Sequence, residues 1–260
     1  MPSHRVLAPS PETVHWGYFD ATIPPRLTVD SGDTVTVDTV SGGLVEVADT
    51  SIMRPDHREI VERLKPVLGP HILTGPIAVR GAEPGDTLEV RIASIKLSVD
   101  WGWNVIRPLK GALPEDFPAF QRRIVPIDRT TMTATLPWGP TLPLRPFFGI
   151  LATAPRPEYG TISSIEPREF GGNMDNKELV PGTSLFLPVF VPGANFSAGD
   201  GHAVQGDGEV CLTALETCLT GTFELVLHKG LRLAFPRAVT PTHYIAMGMD
   251  PDLDDAAKQA

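Results

Sequence analysis

The sequence predicts a mainly β protein, built of β-sandwich or barrel-like sheets with one or two short helices. Three observations carry that expectation. Proline (27 residues) and glycine (24) lie between apolar runs along the 260 residues rather than in clusters, the mark of many short elements joined by sharp turns. Several runs alternate apolar and polar residues with period two, most clearly at residues 34–40, so one face meets a core and the other meets water. A Gly-Asp-Thr turn precedes such a run at Gly32 and again at Gly85, with a looser copy at Pro181-Gly182-Thr183. In each, glycine suits a turn that a Cβ would hinder.

Taken in order, residues 1–12 are polar and proline-bearing, and predict irregular chain. Strands are expected at 13–19, 26–30 and 34–40, the first two separated by Pro24-Pro25. Residues 55–65 are the best helix candidate: Ile60, Val61 and Leu64 share a face, and Pro66 stops it. Strands follow at 71–80 and 87–92. Trp101-Gly102-Trp103-Asn104 reads as an aromatic loop, and 108–146 as irregular chain with short strands at 122–127 and 132–136. An apolar strand at 146–154 marks a soft boundary. It divides an N-terminal β-sandwich domain (1–145) from a C-terminal β-rich domain (146–260) holding most of the site; one intertwined domain is the alternative. Residues 199–209 read as a polar loop between apolar runs, a long strand pair as 210–228, and 250–260 as a tail or incipient helix.

A formal charge of −9 leaves little to neutralise nucleic-acid phosphates or to hold an anionic membrane surface. No apolar run approaches the ~20 residues that span a bilayer, and no basic-then-apolar leader opens the chain. A cytoplasmic protein is expected. Cys211 and Cys218 form no disulfide framework. They lie in an apolar stretch without a basic neighbour, so neither is a candidate nucleophile. Gly-x-Ser-x-Gly, His-Glu-x-x-His, a dinucleotide-binding Gly-x-Gly-x-x-Gly and a phosphate-loop lysine are all missing from the sequence.

What remains are three polar glycine-rich segments: 71–76, 171–175 and 199–209. Asp200 and His202 stand two apart and share a side of an extended backbone. A hairpin-like return brings Asp175 near them. Carboxylate and imidazole are the side chains that hold a divalent cation and move protons near neutral pH. Glu209 leads straight into Val210-Cys211-Leu212, where a lone ionised side chain is costly to bury. Asp33 and Asp86 read as turn residues, Asp207 more as a turn former than a ligand, and His15 as a satisfied strand histidine.

The segments His-Trp-Gly-Tyr-Phe from His15, HILTGPIAVRGAEPGD from His71, FGGNMD from Phe170 and LPVFVPGANFSAGDGHAVQGDGE from Leu187 resemble the acetamidase/formamidase family, in the expected order. The resemblance implies hydrolysis of a small aliphatic amide such as formamide or acetamide, a sandwich-like fold, a homo-oligomer, and zinc or calcium. It also implies several tens of residues, partly helical, beyond the segment like residues 240–249, whereas this sequence stops at Ala260. Its most characteristic segments carry Asn173, Asp175, Asp200, His202, Gln205 and Glu209. The roles expected on that basis are a divalent metal, zinc first, on Asp175, Asp200 and His202, with Glu209 as general base. His71 is a further ligand or oxyanion donor, and Asn173 or Gln205 binds the amide. Trp101, Trp103 or Phe196 walls a small pocket. A non-catalytic alternative is a calcium-binding interaction protein using Asp175, Asp200 and Asp207. A hydrolase of another small nitrogenous compound is a third reading.

Overall fold

The computed structural model describes residues 2–260. Two large sheets form the body. The seven-stranded sheet runs, edge to edge, His4–Leu7, Asp33–Asp38, Leu219–His228, Thr87–Leu97, Ser184–Pro188, Arg237–Val239 and Tyr244–Ala246. The eleven-stranded sheet centres on Phe196–Val204, flanked by Phe147–Ala152, Ile72–Val79 and Leu215–Glu216, with Trp101–Ile106 and Gln121–Asp128 beyond. Tyr18–Phe19 and Ile162–Ser163 make a small ribbon.

The sheets pack face to face. The alternation expected over 34–40 holds as far as Asp38, where the strand ends: Val35 and Val37 are buried while their neighbours are half-buried, and Thr39 and Val40 are then both buried. Val35 and Val37 join Leu88, Val90 and Leu225 from the same sheet against Leu151 and Ala198 from the other. Phe223 sits at the junction, its ring 5.5 Å from that of Phe148 and 5.6 Å from that of Phe196. Gly221 makes this fit: a Cβ there would lie 2.6 Å from Phe148 and 2.5 Å from Phe223. This is sandwich packing, with interdigitating inner faces. Each large sheet takes strands from both sides of residue 145, so the boundary expected there falls within the sheets.

The main helix is Pro55–Arg63. Pro55 suits its first turn, Asp56 and Arg63 match the helix dipole, and it stops two residues earlier than expected. It buries Ile60, Val61 and His57, closing a second core with Trp16, Trp101 and Trp103. The C-terminal segment forms a short helix, Leu253–Gln259.

Four expectations are corrected. Residues 1–12 are not all irregular chain: His4–Leu7 is an edge strand, parallel to residues 34–37. Trp101-Gly102-Trp103-Asn104 is strand, not loop. Gly102 is there because a Cβ would meet the Glu216 carbonyl at 2.8 Å on the neighbouring strand. Residues 199–204 belong to the strand Phe196–Val204, and only the following turn is loop. Gly199 and Gly201 are not turn formers: their missing Cβ atoms leave room for the Ile72 and Thr217 carbonyls, at 2.6 and 2.4 Å. The strand pair expected over 210–228 is present as Leu215–Glu216 and Leu219–His228, but it starts five residues late, because residues 209–212 turn, with Glu209 and Leu212 both at positive φ.

His15 is a satisfied strand histidine. Nδ1 lies 2.6 Å from the Tyr18 carbonyl and Nε2 3.0 Å from the Ser197 hydroxyl. Burial pushes its pKa down to about 4 from 6.5. The unfolded chain therefore binds the proton more readily, and stability present above pH 6.5 is lost as pH falls toward 4. The full loss is about 3 kcal/mol at 1.36 kcal/mol per unit. Urea unfolding at pH 7 and pH 4.5 should show a smaller acid loss for His15→Gln than for the parent chain. Equal losses would rule His15 out as the source.

Candidate active site

The central strand Phe196–Val204 carries Asp200 and His202 into one buried spot. Asp175 arrives from the loop after Gly171–Asn173, Glu216 from the neighbouring strand Leu215–Glu216, and Glu209 from the turn between. Asp175, Asp200 and Glu209 stand at φ of 45°, 57° and 37°. Left-handed backbone in a non-glycine residue costs about 1–3 kcal/mol. The surrounding pairing holds three carboxylates in it within one site.

His202 Nε2 is the hub. It lies 3.2 Å from Asp200 Oδ2, 3.3 Å from Glu216 Oε2 and 3.8 Å from Asp175 Oδ1. His71 Nε2 is 3.9 Å from the other Asp200 oxygen. Asp175, Asp200 and His202 offer ligand atoms within 4.8 Å of one another, and so do His202, Glu209 and Glu216. Asp175 Oδ1 and Glu216 Oε2 are buried without a hydrogen-bond partner. Buried carboxylate oxygens rarely stay unpartnered, and a cation would satisfy both. Gly149 opens the space: a Cβ there would sit 2.4 Å from Asp200 Oδ2 and 2.5 Å from Asp175 Oδ1. The donor set fits a divalent cation.

Electrostatics follow the same geometry. Burial, then the charge of Asp200, pushes the Asp175 carboxyl up to about 8. Burial likewise raises Glu209 and Glu216. Burial also acts to raise Asp200, but His71 and His202 outweigh it and hold that carboxyl at about 2. For His202 burial opposes the charge, while Glu216 and Asp200 overcome it and raise the imidazole well above its usual value. Burial lowers His71 despite the nearby Asp200.

The residues singled out in the sequence divide. His71, Asp175, Asp200 and Glu209 line one cavity of about 640 Å³, and His202 sits against its buried end. Asn173 and Trp103 line the same cavity. Asn173 donates to the Ile165 carbonyl at 3.1 Å and keeps Oδ1 unpartnered. Gln205 does not line it. Its Nε2 donates to the Asp175 carbonyl at 3.1 Å, and Oε1 accepts from His202 Nδ1 at 2.8 Å. Both ends of the amide are engaged by protein, which turns His202 Nε2 toward the carboxylates. Trp101 lies under the helix and Phe196 in the sandwich core, so neither walls the pocket. Asp207 points outward and pairs with Lys177, so the oxygen-only set Asp175, Asp200 and Asp207 does not form.

Glu216 was missed. It stands alone in Ala214-Leu215-Glu216-Thr217-Cys218-Leu219, the same signal of a costly buried acid that pointed to Glu209. Gly149 carried no such signal. The free Cys218 is buried, which pushes its thiol up to about 12, far from a nucleophile.

Fold and cluster define a mainly β protein organised around a buried carboxylate–imidazole site able to hold a metal ion. The sequence matches the model of the Acetamidase/Formamidase family over residues 5–161 and 158–246, and the chain belongs to that family. It is similar to an acetamidase of Mycolicibacterium smegmatis, 29% identical over 198 residues that cover 54% of this chain and 49% of that protein. A formamidase of Methylophilus methylotrophus is 30% identical over 191 residues, 54% of this chain and 47% of the other. The solved structure of an acetamidase from Yersinia enterocolitica superposes with a TM-score of 0.84 at 31% identity, covering 100% of this chain and 78% of that one. The matches thus span about half the length of these two curated relatives. No helix among the described residues is long and apolar enough to cross a membrane.

Proposed function

We propose that this chain hydrolyses the C–N bond of a small aliphatic amide, yielding a carboxylate and ammonia. The observation that carries the reading is the convergence of Asp175, Asp200, His202, Glu209 and Glu216 on one cavity in a chain of this family. Amides resist water because resonance protects the carbonyl and the amine leaves poorly. A site must strengthen the nucleophile, steady the oxyanion and protonate nitrogen.

Asp175, Asp200 and His202, with Glu216 beside them, would hold the divalent cation. Zinc suits mixed imidazole and carboxylate donors, whereas calcium prefers oxygen alone. When bound, the cation acidifies water and polarises the carbonyl. Glu209, raised by burial, takes the proton from the attacking water and delivers it to the leaving nitrogen. His71 is held near neutrality by burial. Its Nδ1 lies 2.8 Å from the Ser164 hydroxyl; in the tautomer whose Nδ1 accepts from that hydroxyl, Nε2–H meets the developing oxyanion. Asn173 Oδ1 accepts from the substrate amide. Gln205 holds His202 in place rather than touching substrate. A cytoplasmic homo-oligomer belongs to the same proposal.

The test is ammonia release from formamide, acetamide, propionamide and urea, with elemental analysis of the purified protein. Near-stoichiometric divalent metal is expected. Chelation should lower turnover on formamide or acetamide by about 100-fold or more, and zinc should restore it. A metal-free preparation with full activity would sink the metal assignment. Silence on all four would sink the assignment to small aliphatic amides.

A further inference from the structure

The cavity is larger than the substrates that the proposed function names. One water takes about 30 Å³ of liquid volume, so acetamide, with four heavy atoms, fills on the order of 100 Å³. The cavity holds about 640 Å³, within the roughly 300–1,000 Å³ of pockets that bind drug-sized ligands. Its chemistry is also divided. The inner end is polar and buried, with Asp200, His202 and Glu216 each under a tenth exposed. The outer walls are apolar and come from four separate parts of the chain. Val45, Val67, Leu68, Ile165 and Leu212 are 47–58% exposed and all line this cavity, with Trp103 deeper in the wall. Large apolar side chains left half in water around one opening favour an apolar occupant. The rim carries little competing charge: Arg107 is ion-paired with Glu46, and Lys110 is the remaining cation there.

We infer that the preferred substrate is a primary amide with a bulky apolar acyl group, the size of an aryl-methyl group or a five-carbon chain. This rests on the amidase reading of the site. The amide group reaches the carboxylate–imidazole end, and the acyl substituent lies outward against Val45, Leu68 and Trp103. Water adds to the carbonyl carbon, the C–N bond breaks, and both protons of the water end on nitrogen. The products are the acyl carboxylate and ammonium, with no other reactant.

The experiment compares kcat/KM for formamide, acetamide, hexanamide and phenylacetamide, in the parent chain and in Leu68→Asp and Val45→Asp. Each added methylene in an apolar pocket is worth about 10-fold or more in discrimination. Phenylacetamide and hexanamide should therefore exceed acetamide by at least about 10-fold. A wall carboxylate should cut the phenylacetamide value by about 10-fold while acetamide stays within about twofold. Both side chains are surface-exposed, and an unchanged thermal midpoint confirms folding. If acetamide is hydrolysed as well as phenylacetamide, or if the wall variants lower both alike, this inference falls while the amidase reading stands. If no amide yields ammonia in the zinc-loaded enzyme, the amidase reading itself falls and takes the inference with it.

Discussion

Glu209→Gln is expected to lower kcat on acetamide by about 10²–10⁴-fold while bound metal stays unchanged; Glu216→Gln is expected to lose the metal first. The two glutamates stand near the same imidazole, yet their settings differ. Glu216 is buried, with Oε1 accepting the Ala214 backbone N–H at 3.0 Å and Oε2 unpartnered 3.3 Å from His202 Nε2. One oxygen is fixed and the other aims into the cluster, which is how a ligand is held. Glu209 is less buried and sits in a turn at positive φ on the cavity wall. It can reach water and solvent, as a group that must take and release a proton does. Glutamine keeps the shape of either side chain but cannot serve as a base and donates where a cation needs a lone pair. Elemental analysis beside single-turnover kinetics separates the roles. Metal loss in Glu209→Gln with full retention in Glu216→Gln would reverse the assignment.

The same pair shows what the sequence could and could not express. A lone acid in an apolar run is visible, and it led to Glu209; applied once more it reaches Glu216. Asp200 and His202 were legible because extended backbone puts alternate residues on one side. Asp175 was legible only through the expected return of the chain. Glycine was the ambiguous letter. At Gly32, φ of 89° confirms the turn reading. At Gly199 and Gly201 the residue instead admits a neighbouring backbone carbonyl, of Ile72 and Thr217 respectively, and sequence alone does not distinguish the two uses. That is why half of the expected polar loop is the central strand of a sheet. Gln205 was expected, with Asn173, as a contact to the substrate amide because it lies in a segment characteristic of the family resemblance. Its true partners, His202 Nδ1 and the Asp175 carbonyl, depend on a strand–loop juxtaposition that no local pattern reports.

Gly149 gives the sharpest steric prediction. It lies in the fully buried strand Phe147–Ala152, between Phe148 and Ile150, whose partners on the central strand are Gly201 and Gly199. Its missing side chain faces the cluster across that pairing. An alanine Cβ would stand 2.4 Å from Asp200 Oδ2, 2.5 Å from Asp175 Oδ1 and 3.0 Å from His202 Cε1. No φ constraint applies at this glycine, so the added methyl itself is the perturbation. Three groups would have to yield at once, and they are the proposed ligands. Overpacking of this kind costs about 1–3 kcal/mol. The larger effect is on the site: Gly149→Ala should lower metal affinity by about 10–100-fold and remove most turnover. Gly206→Ala is the control, because nothing lies within 4 Å of the added Cβ. It should leave metal content and kcat within about twofold. Metal titration of the two purified variants decides the matter. If Gly149→Ala binds zinc as tightly as the parent chain, the cation does not sit among Asp175, Asp200 and His202.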